Sequence, residues 1–233
     1  MKQFLYALAS LLLVVSCASE TANTMTVNGT IKGLKKGTLY LQHVPDTVLV
    51  TVDSLDIRGD GNFTFKTELE SPELFYLYLD KKDNNDINDR ISFFAEPGLI
   101  TINTTWNTFD TNAKITGSKS QEKLEEYLKF MSKSNLRGLE LMQMASNQDE
   151  RFSQQELDSI ELLYTKSIQR NYIYAINFAI NNKDSYIAPY IALKEIPEAN
   201  IKYLDSIAAV LTTEVSNSKY GKELQAFVQK NKQ

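Results

Sequence analysis

The sequence predicts an α+β fold: an N-terminal antiparallel β-sandwich-like domain followed by a C-terminal helical bundle. Three observations predict it. Apolar residues alternate with polar ones from Met25 to Ile115, the period of a half-buried strand. From Gly117 onward they recur every three or four residues, the period of an amphipathic helix. Turn-forming clusters at Gly33, Lys36-Gly37, Gly59-Asp60-Gly61 and Pro97-Gly98 cut the first half into short pieces.

The strands follow in order. Val27, Gly29 and Ile31 alternate with polar neighbours, and residues 38–43 and 47–55 come next. Residues 62–67, 74–80, 91–96, 99–104 and 114–116 complete a set of about eight. All are rich in Val, Ile, Thr, Phe and Tyr, which suit a pleated, half-buried surface. Along residues 74–80, Phe75, Leu77 and Leu79 share one face, while Leu74, Tyr76 and Tyr78 share the other. An exposed tyrosine face of this kind can stack on carbohydrate or peptide, and core packing is its commoner use. Residues 56–62 (DIRGDGN) read as a hairpin turn.

Five helices follow. Ser118 with Gln121 has the pattern of a capping box, ahead of a stripe of Leu124, Tyr127, Leu128 and Met131. Ser153 and Glu156 repeat it ahead of Leu157, Ile160, Tyr164, Ile168, Tyr172 and Ala175. Asn147-Gln148-Asp149 separates this long pair, and shorter helices are expected over 186–194, 200–211 and 219–230, with Pro197 between the first two. The change of period places a domain boundary near Gly117, giving a sandwich-like domain over 25–117 and a helical domain over 118–233.

The N-terminus carries a different signal. Lys2 precedes an uncharged stretch from Phe4 to Val15, far short of the ~20 apolar residues that cross a bilayer. Residues 1–16 therefore read as a secretory signal peptide. Val14-Val15-Ser16 leads into Cys17, the single cysteine, in a pattern that resembles the lipobox of bacterial lipoproteins. That resemblance implies acylation of Cys17, with residues 17–24 as a tether and two or three acyl chains giving stable anchoring. The expected location is the cell envelope, on the outer membrane of a Gram-negative bacterium, facing the periplasm or the cell surface.

Composition excludes several classes. The chain has 25 basic and 29 acidic residues, a net charge of −4, which becomes −5 once Lys2 leaves with residues 1–16. That acidic balance speaks against a nucleic-acid partner, which needs an excess of clustered positive charge. A 42% hydrophobic content supports a packed core without disulfides. A lone histidine, His43, and a cysteine committed to lipid leave no zinc set. No GxSxG elbow surrounds Ser54, although Asp53 and His43 are formally available to it. The run from Asp80 to Asp89 (DKKDNNDIND) offers oxygen ligands for calcium, but it lacks the EF-hand glycine and terminal glutamate and reads better as a solvated loop. Among many carboxylates, Glu96 beside Phe93-Phe94 is the nearest to a catalytic acid, and a strand-end glutamate is its plainer reading. Trp106 stands apart from any aromatic cluster. The tripeptides at Asp53-Ser54-Leu55, Asp158-Ser159-Ile160 and Asp205-Ser206-Ile207 resemble periplasmic O-glycosylation acceptors.

Residues 27–34 (VNGTIKGL), Gly37 with Leu39-Tyr40-Leu41, Asp53-Ser54, Gly61 with Phe63 and Phe65, Pro72, Glu96-Pro97-Gly98 and Ile115-Thr116-Gly117-Ser118 carry a family resemblance. The β half resembles a domain of unknown function found N-terminal to the thioredoxin-like domain of exported Gram-negative thiol–disulfide interchange lipoproteins. Phe178, residues 181–185 and Tyr220-Gly221-Lys222 resemble the segment that follows in those proteins. A thioredoxin-like domain with a CxxC pair would come at about Gly221, and the single cysteine cannot supply that dithiol. Redox activity is therefore not carried over. The expectation is a non-enzymatic, membrane-anchored envelope lipoprotein without cofactor or metal, binding or scaffolding an envelope protein partner. The alternatives are an accessory partner of a separate thioredoxin-like oxidoreductase, and a hydrolase with an unrecognised carboxylate site.

Overall fold

The computed structural model describes residues 22–81, 89–146 and 152–232. Two four-stranded sheets form the first half. One has the order β4 (Asn62–Glu68), β1 (Thr24–Lys32), β7 (Gly98–Thr105), β8 (Lys114–Thr116). The other has the order β3 (Val50–Arg58), β2 (Lys36–His43), β5 (Glu73–Asp80), β6 (Arg90–Ala95). Alternation decides which side chains meet between them: Met25, Val27 and Ile31 from β1 face Leu39, Leu41, Phe75, Leu77 and Phe93 across a dry core.

The antiparallel expectation fails at one pair. β1 runs parallel to β7, with Met25 opposite Gly98 and Lys32 opposite Thr105. The four strands of the other sheet and the β4 excursion separate the two in sequence, so the chain can return in either direction, and alternation does not encode direction. Gly29 is obligatory here, because a Cβ at that position would lie 1.7 Å from the Ile102 carbonyl oxygen. Residues 56–62 are not a hairpin: 56–58 still belong to β3, 59–61 turn, and because β3 and β4 belong to different sheets the turn crosses from one to the other. Gly61 turns the corner at φ +74° against the Ile31 carbonyl, and the Asp60 carboxylate accepts from the Asn62 backbone N–H at 3.1 Å. β3 also begins at Val50, since Val48 and Leu49 are apolar yet exposed outside the ladder.

The helices pack on the outer face of the second sheet. α1 (Lys119–Ser146) and α2 (Gln154–Asn181) form an antiparallel pair, followed by α3 (Ile187–Lys194), α4 (Ile201–Val210), a short α5 (Thr213–Ser216) and α6 (Lys219–Asn231). The one-turn α5 lies below the length at which periodicity is readable. Phe93 and Phe94 explain how both halves share one strand. Phe93 points into the sandwich, while Phe94 joins Ile187, Ile191, Leu204, Ile207 and Leu224 in a second core. Leu74 and Phe75 divide in the same way on β5. The α1/α2 pair leaves this core beyond Met131 and Tyr172, and from there it packs chiefly on itself through Gly138, Leu141 and Ile160. Leu128, just before that arm, and Ile168, on it, are expected on buried stripes and are exposed. Among the described residues no helix is long and apolar enough to cross a membrane. Residues 1–16, Cys17, most of the tether, residues 82–88 of the acidic loop and Asn147-Gln148-Asp149 lie outside the described residues.

Candidate functional site at the sheet–helix seam

The seam is assembled from residues far apart in sequence. His43 ends β2, Glu73 begins β5, and Lys219 opens α6. Glu73 is buried and stands between the other two: His43 Nδ1 lies 3.1 Å from Glu73 Oε1, and Lys219 Nζ donates to Glu73 Oε2. The same ammonium donates to the Val44 carbonyl at 2.8 Å, and the Lys219 backbone N–H donates to Ser71 Oγ at 2.9 Å. Phe75 fixes the imidazole from below, its ring stacked at 4.8 Å. Each partner in this chain compensates the others. A buried carboxylate without its ammonium would be an uncompensated charge in a poorly solvated place.

Glu96, the nearest sequence candidate for an acid, is a junction residue instead. Its carboxylate accepts from Ser118 Oγ at 2.8 Å, Ser120 N at 3.2 Å and Ser120 Oγ at 2.6 Å. A carboxylate at a helix N-terminus meets unpaired N–H groups and the positive end of the dipole. Ser118 caps α1 as expected, accepting from Gln121 N at 3.0 Å. The reciprocal half of that box is absent, because the Gln121 side chain turns to β6 and accepts from the Phe94 backbone N–H at 2.8 Å. The second box is complete: the Glu156 carboxylate accepts from Ser153 N at 2.8 Å and Ser153 Oγ at 2.7 Å, which holds it below the usual carboxylate range.

Two adjoining clefts open on the seam and share Asp46, Lys219 and Glu223. The larger, about 610 Å³, runs from His43 and Pro45 past Val52 to Glu70 and Lys222. The smaller, about 340 Å³, is walled by Tyr76, Tyr190 and Tyr220 with Glu195 and Lys194. Glu195 is the residue that the sequence reading missed. Desolvation at the cleft wall raises its carboxyl above the ordinary range although the residue as a whole is exposed, with the nearby Tyr127 hydroxyl opposing the shift. Tyr127 itself is buried with its hydroxyl lacking a partner at hydrogen-bonding distance, and burial, then the Glu195 charge, pushes its ionisation up. Tyr190 is pushed up to about 12 by burial and then by Glu195. Tyr220 is raised by burial, and its oxygen accepts from the Leu74 backbone N–H at 3.2 Å. A protonatable carboxyl among aromatic rings can hydrogen-bond a neutral polar ligand or hold a proton for transfer.

Other sequence candidates take structural places. Ser54 lies on the exposed edge strand β3, opposite Tyr40, and is not near His43 in the ladder, where Val50 faces His43. Tyr76 and Tyr78 are half-buried on the outer sheet face, beneath the Arg90 guanidinium at 5.6 and 5.4 Å, and Tyr78 stacks on Tyr40 at 5.8 Å. Trp106 is not isolated: Lys81 lies 5.7 Å over its ring and pairs with buried Asp89 at 2.7 Å. Ser159 and Ser206 donate back to the Gln155 and Lys202 carbonyls within their own helices.

Residues 25–124 match a family model described as "Domain of unknown function (DUF4369)". The match spans all eight strands and ends at Leu124 in α1, so it includes the Glu96–Ser118 junction. No curated protein matches the chain.

Proposed function

We propose that this protein is an envelope lipoprotein, held on a membrane through lipid on Cys17, whose folded part binds a partner in the seam clefts without catalysis. One observation carries the reading. The cleft walls come from both halves, while the polar groups beneath them close on one another, His43 and Lys219 on Glu73. Such a floor is rigid and pre-formed, as binding sites usually are. It also leaves the sole imidazole engaged and stacked rather than beside a nucleophile. Two measurements test the proposal. Radiolabelled fatty acid fed to cells should label the wild type and not Cys17→Ala, and label retained by the variant sinks the anchor. A photo-crosslinking residue at Glu70 or Lys222 on the cleft rim should yield a discrete adduct in cells that Lys36, at the far end of β2, does not. Identical patterns at the three positions sink the cleft.

Glu195 favours a second reading, a hydrolase that uses its raised carboxyl as general acid, with Asp46 or Glu223 of the same cleft as the second carboxylate. Turnover of chromogenic glycosides that disappears in Glu195→Gln supports it. A purified protein inert toward them returns the cleft to binding alone.

A further inference from the structure

The exposed arm of α1 and α2 carries a segregated charge pattern. Between Glu126 and Glu140, α1 holds Lys129, Lys133 and Arg137 and no acid. After Glu161, α2 holds Lys166 and Arg170 and no acid up to its end at Asn181. In a chain with an excess of acidic residues, five cations stand together without intervening carboxylates. The antiparallel pairing gathers three of them around one pocket of about 320 Å³, lined by Phe130, Lys133, Ser134, Arg137, Ser167 and Arg170. The flanking acids have partners of their own: Glu126 is bonded to Lys123 at 2.8 Å and Glu140 to Arg137 at 2.9 Å. Lys133 and Arg170 have none among the described residues, and neither does Ser167, a residue only 3% exposed that lines the pocket.

We infer that this pocket binds a phosphate group. Two guanidinium forks and an ammonium supply charge-assisted donors for its oxygens, and the Ser167 hydroxyl supplies a neutral one at the floor. Phe130 forms the apolar wall, held in place by stacking on Tyr174 at 3.6 Å. The headgroup of an anionic phospholipid and free phosphate share this chemistry. The inference uses neither Cys17 nor the seam clefts, so it stands or falls separately from the reading above.

The test uses the full chain carrying Cys17→Ala, so that no acyl anchor holds it on a vesicle. Co-sedimentation is measured with vesicles of phosphatidylglycerol and phosphatidylcholine against phosphatidylcholine alone, and inorganic phosphate is titrated by calorimetry. Preference for the anionic vesicles, falling roughly thirtyfold in Lys133→Gln/Arg170→Gln from about fivefold per cation, supports the site and a lipid source. Phosphate binding lost in the same variant, without vesicle preference, supports the site and a free source. The inference is overturned if neither probe binds. It is equally overturned if Lys36→Gln/Arg58→Gln on the sandwich lowers binding as much. Both variants change surface charges, and an unchanged circular dichroism spectrum certifies that each is folded.

Discussion

The seam and the arm use the same residue types to opposite ends. At the seam, Glu73, Lys219, His43 and Glu96 are drawn into internal bonds between sheet and helices. On the arm, Lys133 and Arg170 face outward, and apolar Leu136, Leu139 and Ile173 are 59%, 57% and 58% exposed. Among the described residues, ten of the eighteen exposed large hydrophobic ones belong to α1 and α2. Charged residues close together in sequence do not reveal which regime they belong to; what packs above them does. The seam reads as architecture with clefts beside it, and the arm as surface left open.

The largest expected effect breaks the seam. Glu73→Ala leaves the Lys219 ammonium buried without its carboxylate and should remove about 3 kcal/mol of stability in urea unfolding. Glu73→Leu/Lys219→Met should recover most of that loss; a single variant as stable as the wild type would show the chain of contacts to be incidental. A second effect reads the same region through pH. Phenols raised in the fold keep their protons after the unfolded chain, with ordinary tyrosines near 10, has released its own. Their stabilisation is therefore complete below about pH 10 and lost as pH rises toward the folded values. Tyr190 alone, at about 12, should lower stability by about 1 kcal/mol between pH 9 and 11, and a urea midpoint constant over that interval contradicts its burial.

A smaller effect tests the junction. Ser118→Ala should lose about 1 kcal/mol through the missing cap, visible as a lower melting temperature with the fold retained. Smallest of all, Leu136→Ser and Leu139→Ser should leave stability within about 0.5 kcal/mol, since neither side chain has a packed environment to lose. Destabilisation by 2 kcal/mol would mean that the arm is covered after all, and the contrast with the seam would vanish.

Much of the fold was legible because period and punctuation are local. The eight described strands and both long helices fall where residue spacing places them, with β3 shifted to Val50–Arg58 from the expected 47–55, and so do the caps at Ser118 and Ser153. What escaped is long-range. The parallel β1–β7 pairing depends on how the chain returns, and the turn at residues 56–62 is a corner between sheets because of where β4 finds a partner. Glu73 and Lys219 are 146 positions apart, so no spacing announces them. Glu195 gave no signal either: Tyr127, whose hydroxyl interacts with its carboxyl, is 68 positions away in sequence. Leu128 and Ile168 continue apolar stripes that outrun the surface available to cover them.

The paired phenylalanines on β6 have a consequence for anyone cutting the chain at Gly117. A strand that serves as a party wall cannot keep one tenant and remain finished on the other side. Freed of the helices, the sandwich would present Phe94 and Leu74 bare to water, and such a fragment should clump on expression even though every one of its strands is present.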